Sequence, residues 1–230
     1  MAPTSAPALR IEVRGVEPVA PAVVPALCFS LGVHASPGSA PGTAAPHGHD
    51  GEPPEVRALT LTTQVRIDAT ARAYDEDARL RLKELFGPSE TWDRNLSSLL
   101  WTQTVTHVPA FTGSTIAPVT VPCTYDFDVA ATKYLHGLPD GEVPLRLLFT
   151  GTVFYLDDGR LQAACLPWDT EAGFRMPVSV WKELMDRHFP RTAWIRLERD
   201  TFDRLYAHRT RHTLPGWDDA VRSLLETSGG

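Results

Sequence analysis

The stretch that most constrains the fold is residues 121–156, where apolar and polar residues alternate over long runs. It opens with Tyr125, Phe127 and Val129, which alternate with Asp126 and Asp128. A two-residue period places successive side chains on opposite faces of a β-strand. We therefore expect the aromatic rings on a core face of one strand and the two aspartates on its solvent or site face.

A second alternating run in the same stretch predicts another strand. Its apolar positions are Val143, Leu145, Leu147 and Phe149. Residues 139–141 (Pro-Asp-Gly) precede it as a turn, and residues 157–159 (Asp-Asp-Gly) close a hairpin onto residues 161–166. Gly151 lies within the run, which indicates a bulge or a close approach of two backbones. We interpret this region as the centre of a sheet.

Patterns elsewhere in the chain predict further strands and a helix. Alternation at residues 9–13, 27–33 and 59–67 predicts three strands, and residues 35–54, rich in Pro, Gly and Ala, predict a mobile loop. Residues 101–107 predict another strand, with Trp101 and His107 on one face. At residues 75–86 the apolar period becomes helical, with Asp75 as the N-cap, which predicts a helix crossing one end of the sheet.

The pattern becomes helical after residue 167 and predicts three C-terminal helices, each with an apolar face directed to the core. These faces are Val178, Trp181, Leu184 and Met185 in the first helix, Phe202, Leu205 and Tyr206 in the second, and Trp217, Ala220, Val221, Leu224 and Leu225 in the third. The expected fold class is therefore α+β: an antiparallel sheet or sandwich with one crossing helix and a C-terminal helical cap. We place the β region at residues 1–170 and the helices, packed on the sheet, at residues 171–230. Together these two parts are expected to form one structural domain.

Composition excludes several classes of protein. An apolar content of 43% is sufficient for a core and excludes global disorder, and a net charge of −6 gives no basic footprint for nucleic acid. No apolar run has the length of a membrane span, and the N-terminal residues lack a signal-peptide pattern, so we expect a cytoplasmic protein. Three cysteines without a CxxC motif are typical of free thiols in a reducing compartment.

Two groups of residues could bind a metal ion, although the sequence predicts no cofactor. His47, His49 and Asp50 form the most ligand-like short motif, and imidazoles suit nickel or zinc. The motif lies in the Pro/Gly-rich loop without a second shell to orient its rings. The other group is His107 with Cys123 and Asp126, whose spacing matches no structural zinc motif.

An enzyme is the less favoured interpretation. The segment 113–115 (Gly-Ser-Thr) is not a nucleophile elbow, and no phosphate-binding glycine loop is present. Asp126 and Asp128 would lie roughly 7 Å apart on a strand face, a spacing that could suit paired catalytic carboxylates. Solvated aspartates are commoner, so the sequence leaves catalysis open and leans against it.

The leading interpretation is a non-enzymatic accessory or assembly protein with a surface that binds a partner protein. Trp101 and Trp168 lie at strand ends, where an aromatic side chain can line a groove. Together with His107, Asp126 and Asp128 they form the predicted partner-binding surface, in which each residue would make contacts rather than catalyse a reaction.

Three segments carry a resemblance to a known family. They are residues 111–115 (FTGST), 121–154 (VPCTYDFDVAATKYLHGLPDGEVPLRLLFTGTVF) and 167–190 (PWDTEAGFRMPVSVWKELMDRHFP). They resemble an uncharacterised bacterial family, a domain of unknown function, whose genes tend to lie near those of nickel–iron uptake hydrogenases. The resemblance implies a hydrogenase component as the partner and implies no catalytic mechanism. Residues 189–206 are also similar to the end of SecB-type export chaperones, which supplies an alternative template of a sheet followed by helices.

Overall fold

The structure, a computed structural model, describes residues 6–38, 54–192 and 194–228. These residues form nine strands and seven α-helices, which confirms the predicted α+β class with antiparallel sheets. The strands are β1 (Ala8–Pro18), β2 (Ala26–Ser36), β3 (Glu55–Ile67), β4 (Leu99–Val108), β5 (Phe111–Thr112), β6 (Ser114–Pro122), β7 (Glu142–Asp157), β8 (Arg160–Cys165) and β9 (Glu171–Pro177). The helices are α1 (Glu76–Arg81), α2 (Lys83–Phe86), α3 (Trp92–Asn95), α4 (Ala130–Gly137), α5 (Val178–His188), α6 (Arg199–Arg211) and α7 (Trp217–Ser228).

The strands form two antiparallel sheets. Sheet A has the order β1-β2-β6, and sheet B has the order β4-β3-β7, with β8 and β9 both pairing with β7. Within sheet B, β7 pairs with β3 along most of its length, so the predicted central strand is confirmed.

One continuous stretch of chain connects the sheets. Leu59 of β3 pairs with Val108, and Val56 pairs with Phe111, so β5 continues β4 in the same register after a break at Pro109. Gly113, at φ 69°, follows β5, and β6 then pairs with β2 in sheet A. The chain thus leaves one sheet and enters the other without an intervening helix.

The core lies between the two sheets. From sheet A, Phe29 is fully buried and makes edge-on contacts with Trp101 of β4 and Phe174 of β9, at ring-centroid distances of 6.4 and 6.1 Å. The same core cluster contains the alternating buried side chains of β2 and β3, which are Leu27, Leu31, Val33, Leu59, Leu61, Val65 and Ile67. The period-two pattern of these strands therefore buries one face of each sheet against the other.

The predicted crossing helix consists of two short helices. Asp75 caps α1 by accepting a hydrogen bond from the Ala78 backbone N–H at 2.7 Å, as the sequence predicts. The helix is interrupted at Leu82 and resumes as α2, and Gly87 ends α2 with a positive φ.

One correction concerns the stretch after β6. Tyr125, Phe127 and Val129 do not form a strand, because residues 127 and 128 lie in a turn and helix α4 begins at Ala130. Side-chain oxygens stabilise this turn: Thr124 Oγ1 accepts the Asp126 N–H, and Asp126 Oδ1 accepts the Asp128 N–H at 2.9 Å. Short polar side chains that bond to nearby backbone favour a turn over a strand, which outweighed the five-residue alternation.

The sheet also continues past the predicted boundary at residue 170. Residues 171–177 form β9, whose Leu145↔Phe174 pairing extends sheet B. Helix α5 then begins directly after Pro177 and buries Val178, Trp181 and Leu184, as predicted.

The chain divides into two compact units, Met1–Ala193 and Trp194–Gly230. The first contains both sheets and helices α1 to α5. The second contains α6 and α7, joined by a turn in which Arg209 donates hydrogen bonds to the carbonyls of Leu214 and Pro215. The packing of the C-terminal helices on the sheet stays a prediction.

Candidate functional site

The predicted partner-binding residues do not form one surface. Trp101 was expected to share a face with His107, but β4 has a register shift at this point: Val65 pairs with Thr102, and Arg66 pairs with Leu100. The extra residue, Trp101, turns toward the core and packs on Phe29. A bulge is not visible in an alternating pattern, which is why the sequence placed Trp101 on the wrong face.

His107 lies on the exposed face of sheet B. Its Nδ1 is 3.3 Å from Thr60 Oγ1 on the adjacent strand β3. Val105 is exposed on the same face of β4. The position of His107 on a solvent face therefore agrees with the pattern, whereas its role in partner binding stays a prediction.

Asp126 and Asp128 lie in the turn before α4 rather than on a strand face. Because the Asp126 carboxylate accepts the Asp128 N–H, it serves to hold this turn. The neighbouring rings of Tyr125 and Phe127 pack against each other at 5.1 Å and against His136 of α4 at 6.1 and 4.7 Å. The geometry predicted for two strand carboxylates is therefore wrong, and this turn supplies a structural role for Asp126.

Of the two candidate metal-binding groups, the one around His107 and Cys123 falls within the described residues. His47, His49 and Asp50 lie outside the described residues, so that site stays a prediction. Cys123 is buried after β6, and burial raises the pKa of its thiol to about 12, which disfavours the thiolate that binds metals. Across the described ranges, no group of three His, Cys, Asp or Glu side chains is placed to hold a metal ion.

A surface with exposed apolar side chains lies on the second unit, and we call it the hairpin face. It consists of Phe202, Tyr206, Trp217, Val221 and Leu225, all of them exposed. The rings of Phe202 and Tyr206 on α6 lie 5.3 and 6.1 Å from Trp217 on α7. The guanidinium of Arg209 stacks over the Trp217 ring at 4.8 Å.

The second unit buries almost none of its own side chains. Of its residues whose burial is described, Ala220 alone is buried. The sequence predicted Phe202, Tyr206 and Trp217 to face a core, because their spacing is that of an amphipathic helix. Two helices cannot enclose the apolar faces of both α6 and α7. The small size of this segment was the sequence signal that its large apolar side chains would stay exposed within the unit.

A groove of about 540 Å³ lies on the first unit, beside Trp168. It is lined by residues 9–13 of β1 and by residues 167 and 169–173, which lead into β9. Trp168 stands between two of the lining residues, and its side chain is 91% exposed. Of the five predicted partner-binding residues, Trp168 is the one adjacent to this groove.

A second groove, of about 970 Å³, runs beside α1 and α2. Its lining includes Tyr74, the acidic residues Glu76, Asp77 and Glu90, and the basic residues Arg79 and Lys83. Arg81, next to this groove, pairs with Asp77 at 2.8 Å. Mixed charges of this kind are typical of solvated helix faces and indicate no particular ligand.

The chain matches one protein family over almost its whole length. A family model matches residues 6–230, which include both grooves and the hairpin face. The chain belongs to a family of unknown function, DUF6084. This confirms the resemblance to a domain of unknown function. The hydrogenase setting and the similarity to SecB stay predictions.

No curated protein and no solved structure matches the chain. Among the helices that the structure describes, none has the length and hydropathy needed to span a bilayer.

Proposed function

We propose that this member of the DUF6084 family is a non-enzymatic accessory protein that binds a partner protein through the hairpin face. The observation that carries the proposal is the exposure of five large apolar side chains on a two-helix unit. Exposed apolar patches of this kind are typical of protein–protein interaction sites.

The composition of the hairpin face supports a protein partner in particular. Tyr, Trp and Arg are the residue types enriched at the energetic centres of interfaces, and Tyr206, Trp217 and Arg209 lie together here. Burying a fully exposed large apolar side chain is worth about 1.5–3 kcal/mol, and most of these side chains are already partly buried, so a partner must cover several of them together to offset the cost of association.

Because neither sign of charge dominates the second unit, we expect an interface there to depend on apolar contacts. Its acidic and basic side chains are mixed along both helices, with Asp219 and Arg222 paired at 3.7 Å. The resemblance described above supports a component of a nickel–iron hydrogenase as the first partner to test. The identification of the partner as a hydrogenase component is part of the proposal.

The test compares two variants of the full-length protein, using purified nickel–iron hydrogenase components one at a time. Leu225→Asp introduces a charge on the hairpin face at a side chain that is 67% exposed. Thr227→Asp introduces the same charge on the same helix, two residues away. We expect Leu225→Asp to weaken the dissociation constant at least tenfold, about 1.4 kcal/mol, and Thr227→Asp to change it by less than about twofold.

Equal binding by the two variants would rule out the hairpin face as the interface. If no component binds the unmodified protein, the hydrogenase partner is wrong. Circular dichroism of both variants serves as the control for folding, and because Leu225 is exposed we expect unchanged helix content.

A further inference from the structure

Two strand edges border the groove beside Trp168. Within the described residues, β1 pairs with β2 alone and β9 pairs with β7 alone. Each strand therefore has one edge without a partner strand. Residues of both strands line the same groove of about 540 Å³.

The pairing pattern shows which backbone groups of β1 point to its free edge. The Ala35 N–H donates to the Gly113 carbonyl at 2.7 Å, so the backbone groups of Ala35 point toward β6. Leu9 lies opposite Ala35, and in an antiparallel pair both residues point toward each other or both point away. The N–H and C=O groups of Leu9, and by alternation those of Ile11, therefore point away from β2.

The same reasoning applies to β9. The Phe149 N–H donates to the Thr170 carbonyl at 2.9 Å, so Thr170 points toward β7. By alternation, the backbone groups of Glu171 and Gly173 point away from β7. Unpaired backbone groups on such an edge are a template for an additional strand.

The rim of the groove is acidic. Asp169 and Glu171 are exposed, and among the described residues neither side chain has an ion pair or a hydrogen-bond partner. By contrast, Glu12 on the β1 side interacts with Arg14 at 3.3 Å and with Arg10 at 3.9 Å. Two unpaired carboxylates therefore remain at the β9 side of the groove, with the exposed Trp168 ring beside them.

We propose that this groove binds an extended, basic segment of a partner protein. The segment adds as a strand to the edge of β9 and bonds to the backbone groups of Glu171 and Gly173. Its Lys or Arg side chains pair with Asp169 and Glu171. Main-chain pairing of this kind supplies affinity, and alternate side chains supply specificity. Residues 9–13 span about 13 Å as a strand, a length that corresponds to roughly five residues of an added segment.

This groove lies on the first unit and the hairpin face on the second, so the two proposals are tested by different variants. Gly173→Pro removes the N–H that faces the free edge and leaves the β9–β7 hydrogen bonds intact, since proline is tolerated where an edge N–H faces outward. Gly173→Ala is the matched control, because a Cβ at this position meets no atom within 4 Å and the N–H is retained.

The probe is a labelled nine-residue peptide alternating Lys and Val, titrated with full-length protein by fluorescence anisotropy at low salt. We expect binding that weakens at least tenfold in Gly173→Pro and less than twofold in Gly173→Ala. The Asp169→Asn, Glu171→Gln double variant should also weaken binding, as should replacement of the peptide's Lys by Glu. Melting temperatures of the variants show whether each is folded.

Three results would overturn the proposal. They are no binding of the Lys/Val peptide at millimolar concentration, equal binding by the proline and alanine variants, or tighter binding of the Glu peptide than of the Lys peptide. Sedimentation of the protein without peptide tests the other occupant of a free edge, a second copy of the chain. A dimer that Gly173→Pro dissociates would replace the peptide as the ligand.

Discussion

At Gly151 the backbones of β7 and β3 come so close that no side chain fits between them. A Cβ at this position would lie 2.1 Å from the carbonyl oxygen of Thr60. The sequence predicted a bulge or a close approach here, and the structure shows the close approach. Position 151 therefore requires glycine, because any side chain would clash with the backbone of β3.

Replacement of Gly151 by alanine should destabilise the protein by about 3 kcal/mol or more, because the strands must separate to admit the methyl group. Gly173→Ala, also in a strand of sheet B, should change the free energy of unfolding by less than about 0.5 kcal/mol. Urea denaturation of the two variants measures the difference. Similar stabilities would show that β3 and β7 adjust without cost.

Thr63 is the converse case, a polar side chain in an apolar place. It is fully buried on the inner face of β3, and its hydroxyl has no hydrogen-bond partner among the described residues. Valine has nearly the same shape without the hydroxyl. Thr63→Val should therefore stabilise the protein by about 1 kcal/mol, measured as a higher urea midpoint with an unchanged m-value. A destabilised variant would mean that the hydroxyl has a partner after all.

The cysteines should differ in reactivity because their burial differs. Cys165 is exposed, whereas burial raises the pKa of Cys123 to about 12. At pH 8 iodoacetamide should modify Cys165 and leave Cys123 unmodified until the protein is unfolded, because the thiolate is the reactive form. Peptide mass spectrometry after timed alkylation checks this. Rapid modification of Cys123 in the folded protein would contradict its burial.

At the scale of elements, a pair of tyrosines connects α4 to the segment before α1. The Tyr74 hydroxyl donates to the Ala69 carbonyl at 2.6 Å, so Tyr134 must supply the proton for the 2.7 Å bond between the two hydroxyls. Burial raises the pKa of both phenols. The pair therefore favours neutral tyrosines and a fixed position for α4.

The two tyrosine-to-phenylalanine variants should differ in stability. Tyr134→Phe removes one hydrogen bond and leaves Tyr74 bonded to Ala69, a loss of about 1 kcal/mol. Tyr74→Phe leaves both the Tyr134 hydroxyl and the Ala69 carbonyl without this partner, a loss of about 2–3 kcal/mol. Thermal unfolding of the single and double variants measures the order and the coupling. Equal losses would show that water replaces Tyr74.

The same scale shows what the sequence could predict. Long alternating runs such as β3 and β7 were predicted correctly, because burial of one face fixes the period over many residues. Two features escaped because a period cannot report them: the turn at residues 126–128, held by side chains bonded to nearby backbone, and the bulge at Trp101, set by its pairing with β3. Strand β9 was missed although Ala172, Phe174 and Met176 alternate with polar or small residues, because the run is short and leads directly into helix α5. The free edges of β1 and β9 were missed because pairing is a tertiary property.

At the scale of the whole molecule, the buried core cluster of the described residues lies in the first unit. Its buried cluster runs from Ile11 to Met185, and Ala220 is not part of it. A chain of residues 1–193 should therefore unfold in one cooperative transition, with a melting temperature within about 5 °C of the full-length value. Calorimetry checks this. A much lower melting temperature would favour the sequence-based expectation that the C-terminal helices pack on the sheet.

The strand that passes from sheet B into sheet A has a consequence for the order of folding. Sheet A contains β1 and β2, from the first 36 residues, and β6, which ends at Pro122. A two-stranded hairpin is at best marginally stable in water, so β1 and β2 remain incomplete until β6 arrives. Because β6 directly continues β4 and β5, pairing of β4 with β3 brings it into place. Closing the long loop between β2 and β6 slows folding, so we expect the β1–β2 hairpin to be among the last parts of the sandwich to become stable.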